Sequence, residues 1–138
     1  MITSWNPDLE TGVELIDNQH AEIIKTLNTY FIRQKCNFSQ ENIYECLKFV
    51  QQFVMYHFQC EEAYMVECDY PNYRSHQALH NLIATQVKFF SVKMETEADP
   101  EVVQQFDAFL ENWIGDHILI EDIDFVQFYK NAPGIKTS

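Results

Sequence analysis

Basic residues are scarce in this chain. Nine Lys and Arg stand against 21 Asp and Glu, for a formal net charge of −12. A phosphate backbone is held mainly by Lys and Arg, so the imbalance argues against a nucleic-acid-binding protein and equally against docking on an anionic membrane. No apolar run approaches the ~18 residues needed to span a bilayer, and the opening MITSWNPDLE has neither the basic nor the apolar region of an export signal. A cytoplasmic protein is expected. Cys36, Cys46, Cys60 and Cys68 form no CxxC pair. Without an export signal they read as free thiols packed as small hydrophobes, with Cys60 set apart because it abuts Glu61. Three Gly and four Pro are all the chain contains, and they fall mostly between or outside its periodic segments. Period-two strands, internal repeats and low-complexity tracts are missing.

What is present suits one globular domain spanning 1–138. Apolar residues make up 46% of 138 and aromatic residues 14%, enough for one sizeable core and too short a chain for two. Helical periodicity runs through four segments. The first holds His20, Ile23, Ile24, Leu27, Tyr30 and Phe31 behind Asp17, read as an N-cap. The second begins near Ser39, passes Ile43, Leu47, Val50, Val54, His57, Glu61, Tyr64, Met65 and Cys68, and stops before Pro71. The third carries His76, His80, Ile83, Val87, Phe90 and Met94 on one face. The fourth opens with Asp99 and Pro100 and continues through Val103, Phe106, Leu110 and Trp113 to His117. Short connections predict an all-α, antiparallel up-down four-helix bundle over 17–130. Residues 1–16 read as an N-terminal arm anchored by Trp5, and 131–138 as a loose tail.

All five histidines fall on the inward faces. If that face is about a third of each helix, chance would place all five there about once in 250 trials. A four-residue step turns a helix by 400°, so His57 with Glu61, and His76 with His80, project side by side about 6 Å apart along the axis. These are chelating pairs. Glu62, one residue further, points about 140° from the His57 face. Burying such groups without partners costs on the order of 2 kcal/mol or more each, and a cation removes that cost. Five imidazoles and at least two carboxylates exceed the four ligands of a structural zinc and suit two ions. Donor chemistry alone leaves iron, zinc, copper and manganese open. The Glu-x-x-His motif of ferritin-like sites is absent, since Asp17, Val54, Tyr73, Gln77 and Ile114 stand three residues before the histidines. In "HQALH", Gln77 replaces the general base of a zinc protease.

A lone His within "DNQH", then HxxxE, YP, HxxxH and HxxxxD follow in order between residue 5 and about 129, and in this the sequence resembles the hemerythrins. The resemblance implies a bundle around two iron ions joined by an oxo or hydroxo bridge. His76, His80 and His117 would serve one iron and His20 and His57 the other, with Glu61 and Asp122 bridging. Helix geometry alone favours Glu121, four after His117, so the choice of Asp122 implies a break or bend after His117. Dioxygen, or azide or nitric oxide in its place, would bind the iron held by two histidines. Ile23, Phe58, Trp113, Ile114 and Ile118 match the family's apolar oxygen pocket; Gly115, unusual inside a helix, reads either as loosening the turn before His117 or as a packing concession. The expected function is reversible oxygen binding by a carrier, storage or delivery protein, not an enzyme. The alternatives are a sensor of oxygen, nitric oxide or redox state acting through a partner protein, and a di-iron peroxidase or oxidase. The protein recipient stays open.

Overall fold

The computed structural model describes residues 12–36, 39–95, 99–112 and 119–131. Among the described residues five helices follow one another: α1 (Glu14–Cys36), α2 (Gln40–Glu67), α3 (Tyr73–Lys93), α4 (Pro100–Phe109) and α5 (Leu119–Asn131). The expected all-α helical bundle is present. Helix α2 packs between α1 and α3 and also meets α5, while α3 meets α4. Among the described residues no helix is long and apolar enough to cross a membrane.

Local chemistry accounts for the starts of α2 and α4. At the start of α2, Ser39 Oγ accepts from the Asn42 amide at 3.3 Å. At the start of α4, Asp99 Oδ1 accepts from the Glu101 amide at 2.8 Å, and Pro100 takes the first turn, where its missing N–H costs nothing. The expected cap at Asp17 is corrected. Helix α1 starts earlier, at Glu14, because Ile16 has apolar surface to bury against Met65 and Phe125. Asp17 lies inside the first turn and its Oδ2 accepts from the Gly12 amide at 3.2 Å. Residues 14–16, expected as part of an arm, are therefore helical. Asn131, expected in the tail, is the last residue of α5, while Trp5 and 132–138 lie outside the described residues.

The connection between α2 and α3 sets the register of the site. The Cys68 amide donates to Tyr64 O and the Tyr70 amide to Met65 O, with Asp69 left-handed at φ 54°. This closes α2 and reverses the chain within five residues. Glu61 lies nine residues before Tyr70 and His80 ten after it. Counted from the helix ends at Glu67 and Tyr73, Glu61 lies about six residues and His80 about seven into its helix, so at 1.5 Å per residue both stand about 10 Å from the turn, side by side on neighbouring helices.

The main core draws Ile23, Leu27, Ile43, Val50, Ile83, Phe90 and Phe106 from α1 to α4. A second cluster of Val13, Ile16, Met65, Tyr70, Phe125 and Tyr129 joins the start of α1, the end of α2 and α5. Between these clusters lies a polar layer. In the fourth helix α-winding ends at Phe109 and widens to π-winding over Leu110–Asn112, while the expected bend after His117 lies outside the described residues. Such wide turns are frequent at functional sites.

Candidate metal centre

Four histidines and two carboxylates from four helices meet between the apolar clusters. His20 comes from α1, His57 and Glu61 from α2, His76 and His80 from α3, and Asp122 from α5, and none is more than 4% exposed. The i, i+4 pairs converge as their spacing predicts. Asp122 Oδ2 lies 2.8 Å from His20 Nε2 and 2.6 Å from His57 Nε2, while its Oδ1 is 3.4 Å from His76 Nε2. Glu61 Oε1 is 2.5 Å from His76 Nε2 and 3.1 Å from His80 Nε2, and its Oε2 is 3.5 Å from His57 Nε2. Each carboxylate thus spans both halves of the cluster. Among the described residues two groups could each hold a metal ion, Glu61 with His76, His80 and Asp122, and His20 with His57 and Asp122. Asp122 is common to both.

The donor set fits a cation. Both Glu61 oxygens, Asp122 Oδ1, His76 Nε2 and His80 Nε2 are buried and close together, yet none meets hydrogen-bond geometry among the described residues. Five unmatched donor atoms pointing at one small volume are what a bound cation would satisfy.

Without metal, the cluster balances its own charge. Burial alone would depress the His57 imidazole, but the Asp122 and Glu61 carboxylates override it and push the pKa up to about 10. His76 is likewise lowered by burial and raised further by the Asp122 and Glu61 carboxylates beside it, to about 9. Burial would raise Asp122, and the His57 charge, with the hydrogen bonds from the His57 and His20 rings, holds it well below the usual range. Metal must displace these protons.

An outer layer orients the imidazoles. His57 Nδ1–H donates to Gln19 Oε1 at 2.5 Å, and His80 Nδ1–H donates to Glu62 Oε2 at 2.9 Å. Both acceptors keep the ring proton on Nδ1 and leave Nε2 free to ligate. Gln77 Nε2 steadies Glu62 by donating to its Oε1 at 3.0 Å. Neither Gln19 nor Glu62 is singled out as an orienting residue by periodicity, because each acts across a helix interface. Glu62 points away from the centre, as its 140° offset requires, but reaches the far side of a ring on the next helix.

Between Glu121 and Asp122, packing selects the latter: Asp122 is in the cluster, while the half-buried Glu121 lines an outer cavity. Ile23 and Phe58 are buried, and Phe58 stacks on His80. His117, Trp113, Ile114, Gly115 and Ile118 lie outside the described residues. All four cysteines are free. Cys46 and Cys68 are buried as expected, Cys60 is half-buried, and Cys36, at the end of α1, is exposed instead of packed.

Residues 11–129 match the model of the hemerythrin HHE cation binding domain. The chain belongs to the hemerythrin family. Among its relatives, a bacteriohemerythrin of Pseudomonas paraeruginosa is 27% identical over 128 residues, covering 93% of this chain and 82% of that protein. One of Stenotrophomonas maltophilia is 28% identical over 118 residues, covering 86% and 75%. One of Clostridium acetobutylicum is 24% identical over 125 residues, covering 88% and 97%. Membership in the hemerythrins agrees with a helical bundle whose histidines and carboxylates converge between two apolar clusters.

Proposed function

We propose that this hemerythrin binds dioxygen reversibly at a non-heme di-iron centre, as a carrier, storage or delivery protein. The observation that carries the reading is the pair of buried donor groups sharing Asp122. His20 and His57 would hold one iron, His76 and His80 with His117 the other, and Glu61 and Asp122 would bridge the two. When bound, a ferrous pair with an oxo or hydroxo bridge supplies the electrons that let dioxygen bind and leave. Azide and nitric oxide would compete for the same position.

The chain's own residues do the rest. Gln19 and Glu62 fix two rings in the ligating tautomer. Ile23 and Phe58, with Trp113, Ile114 and Ile118, would form an apolar wall that keeps water and proton donors away from bound oxygen. The four free thiols suit a reducing compartment, and we assign the protein to the cytoplasm.

An optical spectrum of anaerobically reduced, iron-loaded protein, exposed to air and then degassed, tests the reading. A visible band that appears with air and leaves on degassing, with two irons per chain, is the expected result. One iron per chain, or a band that never reverses, overturns it. Sustained turnover of peroxide or oxygen with a reductant would mark an enzyme instead.

A further inference from the structure

A cavity of about 540 Å³ opens beside the centre, lined by residues of the α2–α3 turn, α3 and α5 that include Tyr70, Asn72, Ser75, His76, Glu121 and Asp124. His76 contributes to its wall. That side chain is 3% exposed, and its Nε2, without a hydrogen-bond partner among the described residues, lies 2.5 Å from Glu61 on the inner side. His20, His57 and Glu61, by contrast, are fully enclosed. The imidazole of His76 therefore stands between the outer cavity and the buried donors.

The mouth of this cavity is anionic and rich in oxygen. Glu121 and Asp124, three residues apart on α5, share one face, while Asp122 between them turns into the centre. Both carboxylates lie close enough to the Tyr70 phenol to raise its pKa, after burial itself. Among the described residues no Lys or Arg lines the cavity. Carboxylate, amide and hydroxyl oxygens are the ligand types that a hydrated divalent cation accepts transiently, and imidazole is the type to which iron transfers. An apolar gas would gain nothing from two charges at the threshold.

We propose that this cavity is the port by which ferrous ion reaches the centre, with Glu121 and Asp124 collecting the hydrated cation and His76 receiving it on the inner side. The inference rests on the di-iron reading, and its test separates the two. Metal-free full-length chain is mixed anaerobically with ferrous ion, and bound iron is measured at timed intervals after rapid desalting. The double variant Glu121→Gln/Asp124→Asn should load about tenfold more slowly at low ionic strength, since steering by a charged cleft speeds association by 10-fold or more. It should still reach two irons per chain, and added salt should narrow the gap.

The control is Glu41→Gln/Glu101→Gln, which removes the same charge from the first turns of α2 and α4. Glu41 lies 20 residues, about 30 Å along α2, from Glu61. This variant should load at the parental rate. Equal slowing in both variants, or none in the first, overturns the port. Loss of iron at equilibrium in the first variant also overturns it, because Glu121 or Asp124 would then be a resident ligand. Failure of the parent to hold two irons overturns the di-iron reading and the port with it.

Discussion

Phe58 lies flat on His80, with ring centroids 3.8 Å apart and planes 5° from parallel. The phenyl ring covers one face of an imidazole whose Nδ1 is already held by Glu62. Phe58 thus both fixes a candidate ligand and supplies apolar wall. Replacing it by Gln brings a polar group and its water into the wall. Iron-loaded Phe58→Gln should bind oxygen at first and then decay to the diferric state at least severalfold faster than the parent, followed by loss of the oxygenated band. Unchanged decay in a variant that retains both irons would leave Phe58 as ordinary packing.

Glu61 and Glu62 are adjacent in sequence and differ in consequence. Glu61→Ala removes the carboxylate that faces both donor groups, so iron content should fall below two per chain and the oxygenated band should vanish. Glu62→Ala removes only the acceptor behind His80. It should keep two irons and bind them about 10- to 100-fold more weakly, read by competition with a chelator. The reverse ranking would show that Glu62 is the ligand.

Metal removal should loosen the fold. Chelation leaves both buried Glu61 oxygens and Asp122 Oδ1 without a partner among the described residues, and each unsatisfied group costs about 1–3 kcal/mol. The melting temperature of the metal-free chain should drop by several degrees, and hydrogen exchange should accelerate around α5. Identical melting of loaded and chelated protein would show that the core stands without metal.

The metal-free protein should lose stability toward alkaline pH. His57 and His76 are raised in the folded chain to about 10 and about 9, against ~6.5 unfolded. Their contribution is fully present below ~6.5 and lost as pH rises through the folded values. Asp122, held low, contributes above ~3.9, and that contribution is lost as pH falls through its folded value. Urea unfolding of chelated protein should therefore weaken between pH 7 and 10. Iron loading near pH 7 should release protons, visible with a pH indicator, since ligating imidazoles must be neutral. Constant stability from pH 6 to 10 with no proton release would contradict the imidazolium–carboxylate arrangement.

Helices α2 and α3 and their metal-binding faces were legible in the sequence, because helical spacing is a local property. The step from His57 to Glu61, or from His76 to His80, fixes a shared face whatever surrounds it. The start of α2 near Ser39 and the cap at Asp99 were legible for the same reason, since each is settled within three residues. Asp17 misled because an acidic residue marks a helix start whether it caps or sits in the first turn, and burial of Ile16 decided the matter. Spacing alone favoured Glu121 over Asp122. Only family resemblance pointed inward, because the phase of α5 depends on how the chain passes from the π-winding at Leu110–Asn112 to Leu119. Gln19 behind His57 and Glu62 behind His80 span 38 and 18 residues. The cavity likewise joins Glu121 and Asp124 to His76 from distant stretches. Such pairings arise only when helices dock at a particular rotation and height. Sequence alone therefore determined which side chains share a helix face, and tertiary packing decided which faces meet and which ring atom each acceptor reaches.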